Sequence, residues 1–176
     1  SIFEPDDRSV PVEVRINGSY SGLLHTLVHE ACHIYDFYHH VTPYVDEALK
    51  QQSLEKTTVF TTGVWDAYNQ PIARFDYPQR TKFAFYGLGK RIPTAEAAGI
   101  YLKLGDSVFS SVYGSLSWAE DFAETFTWFY LQKQFDISYQ TKVRVNGGEM
   151  LSYVPTENRL VQDRYASFAS ISINIY

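Results

Sequence analysis

The residues best suited to chemistry in this sequence form one short motif, His29-Glu30-Ala31-Cys32-His33. Side chains four positions apart lie on one face of a helix, so both imidazoles can reach a single metal ion. Glu30 lies between them, near enough to take a proton from a water molecule that such an ion holds. Zinc suits this set, because catalytic zinc uses three protein ligands and keeps a fourth position open for water. The motif therefore predicts two metal ligands and a general base, and a third ligand must come from elsewhere.

A pair of acidic residues, Glu120 and Glu124, is the candidate source of that ligand. Two carboxylates four positions apart repel each other on a solvated helix, but beside a divalent cation they would be useful. We expect Glu120 to bind the metal, and Glu124 to accept the free N–H of His29 and fix its tautomer. An alternative stays open, because Ser117 and Glu120 also fit a capping box in which Glu120 folds back on the backbone. The sequence offers three rivals to Glu120 as the third ligand: Asp46, Glu96 and Asp106. None of them has a second acidic residue four positions later.

The two motifs together resemble the pattern of the gluzincin metallopeptidases, in which H-E-x-x-H is followed by a helix bearing E-x-x-x-E. The nearer resemblance is to the family of the anthrax lethal factor catalytic domain, whose relatives include the pro-pro endopeptidases. Mlc-titration-factor-type peptidases look similar in the same helix. The lethal factor family has a tyrosine seven residues before the ligand glutamate, where this chain has Tyr113 before Glu120. Asp36, three residues after His33, also fits.

This resemblance implies a zincin-like fold and hydrolysis of peptide bonds. It makes Glu30 the general base and Tyr113 a donor to the oxyanion, and the implied zinc ligands are His29, His33 and Glu120. The carboxylates implied to support these ligands without touching zinc are Glu124 and Asp36. The resemblance covers residues 24–38 and 113–131, and the gap between them is longer than in compact members. We therefore expect an insertion within residues 42–93, and substrate preference does not carry over.

Three functions are consistent with these motifs. The leading hypothesis is a zinc-dependent metalloendopeptidase acting on a peptide or protein substrate. The second is a non-catalytic interaction module that contains zinc, which the intact Glu30 disfavours because a structural site needs no base. The third is an amidase acting on cell-wall peptide, which would share all of this chemistry. Activity on unstructured peptides, compared with cell-wall fragments, would distinguish the first from the third.

The composition narrows the class of protein. A length of 176 residues fits one domain over residues 1–176, with a core of ordinary size. The net charge of −5 argues against a nucleic-acid partner, and no apolar run is long enough for a transmembrane segment. Cys32 is the one cysteine, so no intrachain disulfide can form, and we expect it to be a small packed residue. The chain begins with Ser1, so any signal peptide would already have been removed and its absence decides nothing about the compartment. We expect a secreted or periplasmic protein. The oligomeric state stays open.

The surrounding elements predict an α+β fold. Residues 22–38 fit one helix with its histidines on one side, and the apolar arc expected to face the core comprises Leu24, Leu27, Val28, Ala31, Tyr35 and Tyr38. Residues 9–16 alternate like a strand, whose edge could pair with an extended peptide. Further helices are expected over residues 44–56, 94–104 and 117–134. The remaining expectations are a β-rich stretch at 57–62, strands and loops over 64–93, a hairpin over 141–153 and a closing strand over 171–175.

Overall fold

The computed structural model of the chain describes residues 3–4, 12–17, 22–45, 57–83, 85, 91–144, 148 and 150–168. Within these residues the fold mixes helices and strands. The helices are α1 (Gly22–His39), α2 (Ala97–Gly105), α3 (Trp118–Phe135) and α4 (Arg159–Tyr165). The strands are β1 (Phe3–Glu4), β2 (Val12–Ile16), β3 (Trp65–Ala67), β4 (Gln70–Pro71), β5 (Ile92–Pro93), β6 (Tyr139–Arg144) and β7 (Met150–Tyr153). None of the described helices has the length and apolar character needed to cross a membrane.

The strands form small, separate sheets. β2, β6 and β7 make an antiparallel sheet with β6 in the middle, in which Val12 pairs with Val143 and Thr141 with Tyr153. β3 and β4 pair antiparallel, and β1 and β5 pair parallel. Small antiparallel sheets beside helices are compatible with the α+β class expected from the sequence.

Helix α3 is the centre of the molecule. Its first residue, Trp118, belongs to an apolar core that also contains residues of α2, β3 and β6. Its middle belongs to a second core shared with α1, and the α3 residues buried there are Phe122, Ala123, Phe126, Trp128 and Leu131. Polar positions between them are also buried, so α3 packs on several sides rather than along one stripe. Such a helix can hold polar side chains rigidly, provided that each finds a partner.

Helix α1 differs from the expectation in the face that it buries. Val28 is 4% exposed and Cys32 is fully buried, but Leu27 is 59% exposed and Tyr38 is 73% exposed. His29 is 6% exposed, so the ligand side of α1 is the side that packs against α3. The prediction that Leu27 and Tyr38 face the core was therefore wrong. The physical reason is that α3 offers polar partners to the histidines, so the buried arc of α1 is rotated toward them.

Most other elements lie where the sequence placed them. The helix expected at 94–104 is a 3-10 turn, Thr94–Glu96, followed by α2, and the hairpin at 141–153 is β6 with β7. The β-rich stretch at 57–62 was wrong, because its residues form turns rather than a strand. Residues 9–11 of the first strand, 46–56 of the helix expected at 44–56, and the closing strand at 171–175 lie outside the described residues. Part of the expected insertion belongs to the core, since Trp65, Phe75 and Tyr77 are buried there.

Candidate metal centre

Three side chains from α1 and α3 meet at one point. His29 Nε2 lies 3.1 Å from His33 Nε2 and 3.1 Å from Glu120 Oε2. His33 Nε2 lies 3.4 Å from the same carboxylate oxygen. The ligand atoms of these three side chains all lie within 4.8 Å of one another. No other group of three or more His, Cys, Asp or Glu side chains converges in this way within the part of the chain that the structure describes. The group of His29, His33 and Glu120 could hold a metal ion.

The spacing of the three donor atoms fits a small tetrahedral ion. Zinc binds imidazole nitrogen and carboxylate oxygen at about 2.0–2.2 Å, which places neighbouring ligand atoms roughly 3.3 Å apart at the corners of a tetrahedron. The observed separations of 3.1, 3.1 and 3.4 Å lie close to that value. Two nitrogens and one oxygen are also a donor set that zinc accepts in catalytic sites. The residues present therefore fit the ion that the sequence suggested.

The side chain of Glu120 is directed toward the histidines and not toward its own helix. Ser117 caps α3, because its Oγ accepts a hydrogen bond from the backbone N–H of Glu120 at 3.3 Å. The Glu120 carboxylate, by contrast, contacts His29 and His33 through Oε2 and accepts from the hydroxyl of Tyr113 through Oε1. Of the two uses of Glu120 that the sequence left open, the structure shows the one directed at the histidines.

The electrostatics of this group are those of a tight pair of opposite charges. Burial opposes the charging of His29, but the carboxylates of Glu120 and Glu124 outweigh it and raise the pKa of His29 to about 10. Burial likewise opposes ionisation of Glu120, but hydrogen bonds from His29 and His33 outweigh it and lower the pKa of Glu120 to about 2. Without a metal, His29 therefore carries a proton that lies between its imidazole and the ionised carboxylate of Glu120.

Glu124 lies behind His29, one helical turn beyond Glu120. Its Oε1 is 3.0 Å from His29 Nδ1, in an approach bent away from the N–H direction, and its Oε2 accepts from the Ser111 hydroxyl at 2.6 Å. The same Oε1 is 3.6 Å from Nε2 of His25. A proton held on Nδ1 of His29 leaves its Nε2 lone pair directed at the point where the donors meet. Glu124 thus lies where the sequence placed it, beside the histidine and away from the convergent atoms.

Tyr113 reaches the site from the turn before α3. Its hydroxyl donates to Glu120 Oε1 at 3.0 Å, and its ring lies 5.8 Å from that of His29 between centroids. The next residue, Gly114, packs so closely on α3 that a Cβ added there would lie 3.2 Å from Cβ of Glu124. Any larger residue at this position would require α3 or the turn to shift by a few tenths of an ångström, so glycine favours the close approach of this turn to α3.

Asp36 has a different set of partners from the ligands. Its carboxylate accepts two hydrogen bonds from Thr42, one from the backbone N–H and one from the hydroxyl, both at 2.6 Å. Burial raises the pKa of Asp36, and the bonds from Thr42 and the charge of His33 oppose that rise. Asp36 therefore ties the chain that leaves α1 back onto the helix, and the charge of nearby His33 favours its ionised form.

Glu30 is exposed at a cleft of about 600 Å³ into which the convergent donor atoms also open. The described residues that line this cleft come from α1, residues 40–45, Tyr68, Tyr113 and the start of α3, and none belongs to β2. The strand edge expected to pair with a peptide is therefore not part of the described wall. Glu30 and the three residues whose donor atoms converge share one cleft that is open to solvent.

The rival ligands are placed elsewhere or lie outside the described residues. Glu96 precedes α2, and its carboxylate accepts from Gln79, while Asp106 is exposed at the end of α2. Asp46 lies outside the described residues. Sequence reasoning missed several residues that complete the site, because serine, threonine and tryptophan carry no motif of their own: Ser111, Thr42, Trp118 and Tyr68.

Comparisons with protein-family models, with characterised proteins and with solved structures give no match to this chain.

Proposed function

We propose that this protein is a zinc-dependent metalloendopeptidase with a zincin-like fold of the gluzincin type. The observation that carries the proposal is the convergence of His29, His33 and Glu120 at an open cleft that also contains Glu30. The donor set, two imidazole nitrogens and one carboxylate oxygen that lie 3.1–3.4 Å apart, supports zinc as the metal. The exposed carboxylate beside them supports a catalytic site, because a structural zinc site is closed and needs no base.

In this proposal the three ligands hold zinc, which would polarise the scissile carbonyl and make bound water more acidic. Glu30 accepts a proton as the water oxygen bonds to the carbonyl carbon. It then passes that proton to the amide nitrogen as the carbon–nitrogen bond breaks, leaving a carboxylic acid and an amine, which at neutral pH become a carboxylate and an ammonium ion. Because the proton is taken and returned, Glu30 is unchanged after each turnover.

Tyr113 and Glu124 position and complete this machinery. The Tyr113 hydroxyl, 3.0 Å from Glu120, is placed to turn toward an oxyanion that forms in the cleft. Glu124 holds the Nδ1 side of His29, so its Nε2 keeps the lone pair that a metal requires. The structure shows Tyr113 in contact with Glu120 and Glu124 in contact with His29. The catalytic roles of Tyr113 and Glu124 are part of the proposal.

The proposal is tested by measuring metal content and turnover in matched variants. We expect one zinc per chain after purification in zinc-containing buffer, cleavage of an unstructured peptide library, and loss of cleavage on chelation. Glu30→Gln should keep the zinc and lower kcat by roughly 100- to 10,000-fold, because the amide cannot accept a proton. Glu157→Gln is the matched control, since Glu157 is exposed and does not line the cleft.

Three outcomes would contradict the proposal in different ways. Near wild-type cleavage by Glu30→Gln would remove Glu30 as the base. A zinc-loaded protein that cleaves neither free peptides nor cell-wall peptides would be a binding module. Cleavage restricted to cell-wall peptides would make the protein an amidase.

A further inference from the structure

Two aromatic side chains stand exposed together at the edge of the cleft. Phe37, on α1, is 61% exposed, and Tyr44, in the segment after α1, is 68% exposed. Their rings are 6.2 Å apart between centroids and are nearly perpendicular, and both residues line the cleft. Single exposed apolar residues are common on protein surfaces, but apolar residues in contact at the mouth of a cleft mark a binding surface. We call this pair the aromatic rim.

The rim is held in a fixed position relative to the metal-site residues. Thr42 is bound by Asp36 of α1 through two hydrogen bonds of 2.6 Å. The carbonyl oxygen of Pro43 accepts from the indole N–H of Trp118, at the start of α3, at 3.2 Å. The segment that carries Tyr44 is therefore tied to both helices that supply ligands. A binding surface that is already in place loses little freedom when a ligand binds, which favours affinity and selectivity.

The described lining includes further aromatic side chains. Tyr68 and Trp118 both line the cleft, with their rings 5.2 Å apart and perpendicular, and the Trp118 backbone N–H donates to the Tyr68 carbonyl at 3.0 Å. Aromatic rings attract other rings and apolar chains through burial and edge-to-face contact. Trp118 is buried, so the aromatic surface open to a ligand is that of the rim and of half-buried Tyr68, which lie among polar lining residues.

The distance from Glu30 to the rim fixes where a side chain bound at the rim would lie. Phe37 is seven residues after Glu30 on the same face of α1, which corresponds to about 10 Å along the helix axis. An extended peptide advances about 3.3 Å per residue, so this distance spans about three residues. The rim is thus reached by a side chain about three positions from the bond beside Glu30.

We propose that Phe37 and Tyr44 form a specificity subsite, which selects polypeptide substrates with an aromatic or other large apolar side chain about three residues from the scissile bond. The inference depends on the proposed peptidase function. Its occupant is a substrate rather than a second copy of this chain, because the rim is continuous with the cleft that contains Glu30.

The test uses pairs of peptides that differ at one position, Phe against Ala, placed in turn up to four residues on each side of the cleaved bond. Wild type should prefer Phe by roughly 10- to 100-fold in kcat/KM at one position about three residues from the bond. Phe37→Ser and Tyr44→Ser should each reduce that ratio to within about threefold. Both side chains are exposed, so neither substitution should prevent folding.

Phe135→Ser is the matched control, because Phe135 is an aromatic residue that is 50% exposed and does not line the cleft. It is at the last turn of α3, about 22 Å along the helix from Glu120, and the variant should keep the wild-type ratio. A second measurement avoids turnover: fluorescence anisotropy of the same peptides with zinc-loaded Glu30→Gln protein. The preference for Phe should appear there as tighter binding, and should be lost in the double variants with Phe37→Ser or Tyr44→Ser.

The outcomes separate this inference from the function on which it depends. If wild type cleaves no peptide and Glu30→Gln binds none, the peptidase proposal fails and the subsite fails with it. If wild type cleaves peptides but the rim variants keep the same Phe/Ala ratio, the subsite alone is overturned. If ultracentrifugation shows a dimer that the rim variants dissociate, with the ratio unchanged, the rim is a surface between copies and the subsite is again overturned.

Discussion

Helices α1 and α3 supply the same site from different surroundings. α3 is buried along most of its length, and its acidic residues Asp121 and Glu124 are both held by partners. α1 is buried along one side only, and its other side exposes large apolar residues on both sides of Glu30: Leu23, Leu27, Ile34, Phe37 and Tyr38. In the proposed site, α3 therefore supplies one ligand and the carboxylate behind His29, whereas α1 supplies two ligands and exposes Glu30 to the cleft. Substitutions on each helix distinguish these two roles.

The largest expected effect is on stability, from the buried carboxylate of Asp121. It accepts from Arg164 at 2.6 Å and from the indole N–H of Trp65 at 2.8 Å, and thereby joins α3 to α4 and β3. Asp121→Ala would leave the guanidinium of Arg164 largely buried without its charge partner, and should lower the free energy of unfolding by about 3–5 kcal/mol. Asp163→Ala removes an exposed acid from α4 and should change it by less than about 0.5 kcal/mol. Urea unfolding of the two variants measures the difference, and equal effects would refute a structural role for Asp121.

The second prediction concerns Tyr113, whose hydroxyl donates to the carboxylate of the proposed ligand Glu120 and which also lines the cleft. If it donates to the oxyanion, Tyr113→Phe should lower kcat by roughly 10- to 1,000-fold and leave zinc affinity nearly unchanged. If it acts by holding Glu120, the substitution should weaken zinc binding instead. Zinc titration and steady-state kinetics on the same protein distinguish the two. An unchanged kcat with unchanged zinc affinity would remove Tyr113 from the site.

The third prediction concerns Glu124, which contacts His29 from within α3. Glu124→Ala removes the carboxylate that orients the imidazole and should weaken zinc affinity by roughly 10- to 100-fold. Ser111→Ala is the comparison, because it removes the hydrogen bond to the other carboxylate oxygen and leaves Oε1 in place. We expect a smaller loss of zinc affinity in that variant. Equal zinc affinities in wild type and Glu124→Ala would mean that His29 needs no support from α3.

The fourth prediction compares the buried and the exposed side of α1 through two adjacent residues, Val28 and Leu27. Val28 is 4% exposed and Leu27 is 59% exposed, although both are apolar and adjacent in sequence. Val28→Ala should lower the free energy of unfolding by about 1–3 kcal/mol, because it leaves a gap against α3. Leu27→Ala should change it by less than about 0.5 kcal/mol. Thermal or urea unfolding measures both, and a large loss from Leu27→Ala would show that this side of α1 is covered in solution.

The two helices also show which features of the site could be predicted from the sequence. α3 was predicted within a residue at each end, because Ser117 caps it and its apolar residues are regularly spaced. On α1 the ends were also close, but the buried arc was only partly right: Val28 is buried and Leu24 and Tyr35 pack against the same core, whereas Leu27 and Tyr38 are exposed. Spacing in the sequence can group His29, His33, Glu120 and Glu124. It cannot reveal Ser111 or Thr42, whose roles come from tertiary contacts alone.

The smallest expected effect is the pH dependence of the metal-free protein, and it tests the charge pair that joins the helices. The pKa of His29 rises from 6.5 to about 10 on folding, so its share of stability is full below pH 6.5 and is lost as the pH rises toward 10. The pKa of Glu120 falls from 4.5 to about 2, so its share is full above pH 4.5 and is lost as the pH falls toward 2. The stability advantage of wild type over Glu120→Gln should therefore be greatest between pH 4.5 and 6.5 and should decline on both sides. Urea unfolding in the presence of a chelator measures this difference across pH. An advantage that does not change with pH would mean that the charges of His29 and Glu120 do not interact in solution, and that without metal this pair does not help to join α1 to α3.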